Sequence, residues 1–310
     1  MVLSIVIPCF NEEAVLRETD KRLYNLINEW ISGGLVQDCH MVYVDDGSKD
    51  GTWDIICGLK KEHPFVTGIK LAHNAGHQHA LWAGLMWSNG KCDAVVTIDA
   101  DLQQDIRAIE DMVSAYQEGY EVVYGVRNDR GVDSAFKKRT ALAYYSMMRK
   151  MGVDLIPNHA DYRLLGSKAL GALSTFEERN LFLRGMVRSL GFKEKIVRFE
   201  CLDRFAGESK YTLRKMVDFA IDGITSFSIQ PLRLITFIGV IMLVVSIFAG
   251  VYVLITFFCG NTIKGWTSIL LSIWFLGGIQ LLCIGVIGEY IGKNYIEVKR
   301  RPRYIIEEEI

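Results

Sequence analysis

The chain has 310 residues, which at roughly 150 residues per domain predicts about two folding units. Its 35 basic and 36 acidic side chains nearly balance, which argues against nucleic acid as a partner, because nucleic-acid-binding domains carry a basic excess. Half of the residues are hydrophobic and the mean hydropathy is +0.18, which is high for a soluble protein. The seven cysteines form no C-x-x-C motif, so neither a disulfide framework nor a zinc site is predicted.

The first 125 residues alternate short β-rich runs with longer amphipathic segments, which is typical of β-α-β units around a mostly parallel sheet. The predicted fold class is therefore α/β. Asn11 is expected to cap a helix whose first turn holds Glu12 and Glu13, and Asp50 precedes another helix. The predicted strands are Leu3–Ile7, His40–Val44, Thr67–Leu71, Ala94–Ile98 and Glu121–Tyr124.

Beyond Gly125 the pattern is weaker. A charged stretch, Arg127–Arg139, is expected to form a loop, and helices are expected near 140–151, 167–173 and 179–190. The segment Tyr211–Ile229 mixes apolar and charged residues and leads directly into an apolar run. This favours a helix in the membrane interface, with an amphipathic helix of a globular domain as the alternative.

Two long uncharged runs lie near the C-terminus. They comprise 25 residues from Leu234 to Phe258 and 24 residues from Gly265 to Gly288. Each is long enough to cross a hydrocarbon core, which needs roughly 20 residues. Two buried helices of a soluble core are the alternative, but such helices seldom run this long without a charged face. Two transmembrane helices are therefore predicted.

Most basic residues near these two runs lie before the first run and after the second, and few lie between them. Arg233 precedes the first run, a basic cluster from Lys293 to Arg303 follows the second, and the intervening loop carries only Lys264. This bias predicts a multi-pass protein of the inner (plasma) membrane with both termini in the cytoplasm. The N-terminal apolar run Val2–Ile7 lacks the basic flank of a signal peptide and is predicted to be a strand.

Acidic and polar residues follow three of the predicted strands. Ligands of open α/β sheets bind at the carboxyl ends of strands, so these residues are expected to converge on one site. Because clustered carboxylates repel one another unless a cation neutralises them, a divalent metal is expected. Asp99 and Asp101 suit Mg²⁺ (or Mn²⁺), which is held by one or two carboxylates together with substrate phosphates. The three clusters are Pro8–Glu13, Asp45–Ser48 and Asp99–Gln103.

Other nucleotide and metal motifs are poorly supported. No G-x-G-x-x-G follows a predicted strand, and Gly84…Gly90-Lys91 misses the P-loop spacing, which argues against a Rossmann dehydrogenase and a P-loop NTPase. His73, His77 and His79 fall within seven residues, but no fitting fourth metal ligand is nearby. We expect His77 to pack or to contact nucleotide.

Four sequence blocks occur in order along the predicted sheet: Ser4–Glu13, Val44–Thr52, Asn74–Gly84 and Asp99–Gln103. Together they resemble the motifs of family 2 inverting glycosyltransferases of the GT-A fold. The blocks Arg204–Tyr211 and Gly288–Tyr304, with the two uncharged runs between them, resemble the polyisoprenyl-phosphate subgroup. That subgroup contains dolichol-phosphate mannose synthases and bacterial bactoprenol glucosyltransferases.

The resemblance implies a division of the chain into four parts. These are a cytoplasmic GT-A catalytic domain, an amphipathic interface helix region, a two-helix transmembrane anchor and a cytoplasmic C-terminal tail. Their boundaries are 1–210, 211–231, 232–292 and 293–310. A homo-oligomer such as a tetramer is a further expectation for this subgroup.

The resemblance also implies roles for individual residues. Asp99 and Asp101 would bind the nucleotide diphosphate through the metal, with Gln103 in support. Residues Pro8, Phe10, Glu12 and Asp46 would line the base and ribose pocket. Arg127 and Arg139 would contact the diphosphate or the acceptor phosphate; a solvated loop is the alternative for these two arginines. The lipid phosphate would be held by Arg204, Ser209 and Lys210.

Asp161 matches a position near the acceptor that is often proposed as a base in relatives. A lipid monophosphate is already anionic at neutral pH, because its second pKa is about 6. Asp161 is therefore expected either to act as a base or to orient the sugar or acceptor.

The implied reaction is a single inverting displacement that moves a hexose from a nucleotide sugar to a polyprenyl phosphate. UDP-glucose is the favoured donor, and GDP-mannose, UDP-galactose, UDP-GlcNAc or an aminoarabinose-type donor are alternatives. A processive polysaccharide synthase would need Q-x-x-R-W, but Leu234 follows Arg233 here. A non-catalytic membrane scaffold would leave the three acidic clusters unexplained.

Overall fold

A computed structural model describes residues 1–128, 156, 159–200, 228, 230–258 and 265–310. The strands are β1 Val2–Cys9, β2 Asp38–Asp45, β3 Val66–Leu71, β4 Ala94–Thr97, β5 Val122–Arg127, β6 His159–Gly166, β7 Glu194–Phe199 and β8 Ile306–Glu309. The helices are α1 Leu16–Ser32, α2 Thr52–Glu62, α3 His77–Ser88, α4 Ala108–Gln117, α5 Ser167–Ser174, α6 Leu183–Ser189, α7 Gln230–Phe258 and α8 Trp266–Lys299.

The strands form one sheet in the order β7-β5-β6-β4-β1-β2-β3-β8. Strand β1 pairs in parallel with β2 and β4, and β2 pairs in parallel with β3. Strands β6 and β8 run antiparallel to their neighbours. The predicted α/β class and mostly parallel sheet are thus confirmed, and the carboxyl ends of β1 to β4 meet at one edge.

The central strand β1 is buried on both faces, so its apolar run serves two helix layers. Ile5 and Ile7 pack into the core that includes residues of α1, α2 and α4, whereas Val6 packs into the core that includes α3. Gly84 brings α3 close to the sheet, since a Cβ there would lie 2.3 Å from Cγ1 of Val6. This close contact fixes the start of α3 near the strand ends.

The connection from β1 to α1 differs from the predicted helix cap. Helix α1 begins at Leu16, and Asn11 has a left-handed backbone with φ of 54°. Its backbone N–H donates to Ser48 Oγ at 2.9 Å, and its side-chain oxygen accepts from the N–H of Lys49 at 2.9 Å. The expectation that Asn11 caps a helix was wrong, because its carboxamide joins the loops after β1 and β2. The other expected start is confirmed, since α2 begins directly after Asp50 and Gly51.

The C-terminal helices α7 and α8 expose many large apolar side chains. In the described part of the chain, one segment, Phe275–Lys299, is long and apolar enough to cross a membrane, and Gln230–Met242 is a shorter apolar segment. One of the two predicted transmembrane helices thus has a candidate segment, and the prediction of two is not confirmed. The helix expected near 140–151 and most of the expected interface helix lie outside the described residues.

The chain end returns to the sheet, which the sequence pattern did not predict. Strand β8 pairs antiparallel with β3 and forms the sheet edge. Trp53 Nε1 donates to Glu308 at 3.1 Å, and Trp87 Nε1 donates to Glu309 at 2.7 Å. The tail is therefore attached to both helix layers of the domain.

Candidate active site

The loop after β2 is fixed by its own carboxylates. Asp46 accepts hydrogen bonds from the backbone N–H groups of Ala75 at 2.7 Å and Gly76 at 3.0 Å, just before α3. Burial raises the pKa of Asp46, and these two hydrogen bonds oppose the shift. Burial also raises the pKa of Asp45, whose Oδ1 accepts from the N–H of Ser48 at 3.2 Å. The role of Asp46 seen here is to join the ends of β2 and α3.

Gly47 allows the loops after β2 and β3 to touch. Its φ is +67°, and a Cβ at this position would lie 2.7 Å from the backbone nitrogen of Asn74. A cavity of about 470 Å³ lies beside these loops, and its lining includes Phe10, Ser48, Lys70, His73 and Glu307. Among the residues predicted to line a base and ribose pocket, Phe10 lines this cavity.

Two other predicted pocket residues lie close by in the chain. Pro8 is buried in β1, and the backbone N–H of Glu12 donates to Thr52 Oγ1 at 2.9 Å. Both residues therefore help to fix the loop that presents Phe10.

The loop after β4 carries the predicted metal-binding pair. Gln104 Nε2 donates to Asp99 Oδ2 at 2.7 Å, and the N–H of Asp99 donates to Gln104 Oε1 at 3.1 Å. The backbone N–H of Gln103 donates to Asp101 Oδ1 at 3.1 Å. The side chain that holds Asp99 thus belongs to buried Gln104, which was not among the predicted site residues. No sequence pattern distinguishes it from Gln103.

His77, the first residue of α3, lies between two carboxylates. Its Nε2 is 3.8 Å from Asp99 Oδ1 and 3.8 Å from Asp161 Oδ2. Burial raises the pKa of Asp99, His77 opposes this, and the negative charges of Asp161 and Asp101 raise it further. Three carboxylates therefore lie close together at this edge of the sheet, two of them within 4 Å of the His77 imidazole.

Asp161, on β6, is buried and paired with two arginines. Arg184 Nε lies 3.2 Å from its Oδ1 and Arg184 Nη2 lies 3.1 Å from its Oδ2, while buried Arg163 bonds to Oδ1. Burial alone would raise the pKa of Asp161, but Arg184 and Arg163 outweigh it and hold that pKa well below its ordinary range. Arg184, which comes from α6, 23 residues further along, was not among the predicted site residues.

The remaining predicted cations are only partly described. Arg127 ends β5, and its buried Nε has no hydrogen-bond partner among the described residues. Its charge lowers the pKa of Asp99 against the larger effect of burial. Arg139, Arg204, Ser209 and Lys210 lie outside the described residues.

The side chains at this edge fit a hard divalent cation only in combination with further oxygen ligands. Asp99 and Asp101 offer carboxylate oxygens, which Mg²⁺ and Mn²⁺ accept. Within the described ranges, no group of three or more histidine, cysteine or acidic side chains is placed to hold a metal. A cation bound by these two aspartates would therefore share its coordination shell with ligand oxygens such as phosphates.

Two family models match the chain. Residues 4–173 match glycosyl transferase family 2, and residues 230–293 match the GtrB C-terminal hairpin. The first match covers most of β1, strands β2 to β6 and all of the acidic loops, and the second covers α7 and most of α8. The predicted acidic residues of the candidate site and the exposed apolar helices therefore fall in two different family matches.

Several known proteins are similar over the whole chain. The uncharacterized glycosyltransferase YkoT of Bacillus subtilis is 49% identical over 99% of this chain and 91% of its own length. The bactoprenol glucosyl transferase of Shigella phage SfII is 39% identical over 99% of this chain and 98% of its own. Among solved structures, the mannosyltransferase PcManGT from Pyrobaculum calidifontis, in complex with GDP-Man and Mn²⁺, has a TM-score of 0.50 at 18% identity. That similarity covers 72% of this chain and 62% of the other, and it supports the fold.

Proposed function

The chain belongs to glycosyltransferase family 2, and on that premise we propose that it transfers glucose from UDP-glucose to a polyprenyl phosphate at a membrane. The observation that carries this proposal is the end-to-end similarity to bactoprenol glucosyl transferases, which includes the C-terminal hairpin. The candidate site supplies suitable chemistry, because carboxylates and cations meet at the carboxyl ends of the strands.

The donor diphosphate is placed next to Asp99 and Asp101 in this proposal. A divalent cation held there would neutralise charge on the departing nucleoside diphosphate. The cationic side chain of Arg127 would add a further contact to phosphoryl oxygens. Its buried Nε has no hydrogen-bond partner within the described part of the chain, which supports this role. Gln104 fixes the orientation of Asp99 through two hydrogen bonds. The donor site is thus preorganised before the sugar arrives.

The reaction proposed is one in-line displacement. An oxygen of the lipid phosphate attacks the anomeric carbon, the bond from that carbon to the diphosphate oxygen breaks, and its electron pair leaves with UDP. The lipid phosphate needs no base, since its second pKa is about 6. A carboxylate with the lowered pKa of Asp161 is a poor proton acceptor, so we assign Asp161 the task of orienting Arg184 beside the acceptor side of the site.

In this proposal the acceptor lipid reaches the site from the membrane. We propose that α7 and α8 form a two-helix anchor with the catalytic domain and both chain ends in the cytoplasm, supported by the exposed apolar side chains and the flanking basic residues. Arg204, Ser209 and Lys210 would hold the lipid phosphate near the interface segment that leads into α7. Charge pairing and orientation of the attacking oxygen are the contributions expected from these residues.

The deciding experiment offers a panel of sugar nucleotides and a polyprenyl phosphate to membranes that contain the protein. The panel comprises UDP-glucose, UDP-galactose, UDP-GlcNAc, GDP-mannose and an aminoarabinose donor. We expect a glucosyl lipid from UDP-glucose, identified by mass spectrometry, and no product without the lipid. Formation of a different glycolipid would correct the sugar, whereas the absence of any glycolipid would overturn the proposed reaction.

A further inference from the structure

The C-terminal strand β8 forms one wall of the cavity beside the loops after β2 and β3. Glu307, on β8, lines this cavity together with Phe10, His73 and Lys70. Its Oε2 lies 3.3 Å from Nζ of Lys70, on the neighbouring strand β3. An aromatic ring, an imidazole, a cation and a carboxylate therefore surround one space of about 470 Å³.

Backbone hydrogen bonds hold Glu307 in place from both sides. After it, Gly68 and Ile310 exchange two hydrogen bonds, at 3.1 Å and 2.9 Å. Before it, the N–H of Ala72 donates to the carbonyl oxygen of Ile305 at 2.9 Å. The backbone position of Glu307 is thus fixed by the sheet, although it lies only three residues before Ile310.

Two acidic residues at the ends of the parallel strands, Asp46 and Asp99, accept hydrogen bonds from neighbouring groups of the protein, whereas Glu307 lines the cavity. Asp46 accepts a backbone N–H on each of its two oxygens, and this task joins β2 to α3. Asp99 is bound by Gln104. Glu307 is the carboxylate that lines the cavity, where a base could stack on Phe10.

We propose that Glu307 and Lys70 recognise the base of the donor nucleotide in this cavity; the inference rests on the proposed function. A carboxylate accepts a hydrogen bond from an N–H, and an ammonium group donates to a carbonyl oxygen. Uracil presents an N–H flanked by carbonyl groups, whereas cytosine presents a bare ring nitrogen beside an amino group. In this proposal Glu307 faces the ring nitrogen between these groups, so uracil donates its N–H to the carboxylate, whereas cytosine would turn a lone pair toward it. In that placement the pair selects uracil over cytosine, and the C-terminal strand is a specificity element of the donor site.

The test compares the dissociation constants of UDP and CDP, measured by calorimetry with Mg²⁺ on the full-length protein in detergent. The variants are Glu307→Ala and the control Glu308→Ala. Glu308 lies on the same strand but bonds to Trp53. We expect wild-type protein and the control to prefer UDP. In Glu307→Ala the affinity for UDP should fall about tenfold, because one hydrogen bond to a charged group is lost. The preference for UDP over CDP should become smaller.

The ratio of the two constants is the decisive quantity, because a partly unfolded preparation lowers the active fraction equally for both ligands. An unchanged ratio in Glu307→Ala, or an equal loss in Glu308→Ala, would overturn the inference while leaving the proposed function intact. Wild-type protein that binds UDP and CDP equally well would also refute it. Failure of wild-type protein to bind UDP at all would refute the proposed donor and, with it, this role of Glu307.

Discussion

Arg184 forms a two-point ion pair with Asp161, with its Nε 3.2 Å from Oδ1 and its Nη2 3.1 Å from Oδ2. Planar guanidinium groups match carboxylates in this way, and the geometry fixes the guanidinium as well as neutralising it. Because Arg163 binds the same carboxylate, two cations depend on one buried anion.

Replacing Asp161 by Asn should therefore destabilise the fold strongly. Removing one partner of a buried ion pair costs about 3–5 kcal/mol, since it leaves a charge buried without its counterion. When Arg184→Gln is added, the free energy of unfolding should fall by less than the sum of the two single losses. The coupling energy between the two substitutions should be about 0.5–3 kcal/mol. Denaturant titration of the two single variants and the double variant measures the coupling.

The partly exposed pair of Arg188 and Glu194 is the matched control for this cycle. Its coupling should be about 0–1 kcal/mol, because both side chains are partly solvated. Strictly additive losses for Asp161→Asn and Arg184→Gln would show that the two side chains do not act together.

The second prediction concerns the metal. Asp101→Asn should lower turnover about 100-fold or more, because a Lewis-acid metal supplies several kcal/mol of transition-state stabilisation. The affinity for UDP in Mg²⁺ should also fall to the value measured in EDTA. Asp105→Asn is the control, since this residue of the same loop accepts the N–H of Arg107 at the start of α4. Full activity in EDTA would contradict the metal assignment.

The strands β1 to β5 could be predicted because their signal is local, whereas β6 to β8 were not predicted. Strand β1 is an apolar run in which Ser4 is the one polar residue, and burial on both faces favours such a run. The contacts of the site were harder to predict because they join distant segments. Arg179 meets Glu297 across 118 residues, and Trp53 meets Glu308 across 255. No period in the sequence encodes these pairings, and the cap expected at Asn11 failed because a contact with the loop after β2 replaced it.

The third prediction is a pH dependence of stability that arises from His159. Burial and the neighbouring Arg163 and Arg184 lower the pKa of His159 to about 3. An unfolded chain binds the proton near pH 6.5, so the unfolded state gains protons first as the pH falls. The contribution of His159 to the free energy of unfolding is fully present above pH 6.5 and is lost as the pH falls from 6.5 to 3. From pH 7 to 5.5 this histidine should contribute a loss of about 1.3 kcal/mol.

His159→Gln should remove that slope, whatever constant loss of stability it causes. Ile5→Val is the control, because it weakens the buried core without removing a titrating group. Denaturant titrations at pH 7 and pH 5.5 give the slopes, and a slope in His159→Gln equal to that of wild-type protein would refute the assignment.

The fourth prediction concerns topology. In a cysteine-free background, an impermeant thiol reagent added to intact cells should label Asn261→Cys, between the two proposed spans, but not Arg301→Cys in the tail. The basic residues that flank the spans are the reason for this orientation. Both positions should react once the cells are permeabilised. Labelling of Arg301→Cys in intact cells would place the tail outside.

Glu297 connects helix α8 to the candidate site. Its carboxylate accepts the N–H of Asn180 at 2.8 Å and the N–H of Arg179 at 2.9 Å and 2.8 Å. The helix expected at 179–190 is shorter than predicted and spans Leu183–Ser189, after these contacts. Further along, the N–H of Leu183 donates to Gln78, and Arg184 then reaches Asp161.

Replacing Glu297 by Ala should therefore slow transfer more than it weakens donor binding. Hydrogen bonds to a charged group are worth about 1.5–3 kcal/mol, so loss of this anchor should reduce the transfer rate about 10-fold to 100-fold if Arg184 shifts with the segment. Asn294→Ala, at an exposed position of the same helix, is the control and should leave the rate unchanged. The measurements are the transfer rate at saturating donor and the affinity for UDP on the same preparations. If Glu297→Ala weakens UDP binding in step with the rate, the segment belongs to the donor site, and the connection through Arg184 to the acceptor side is wrong.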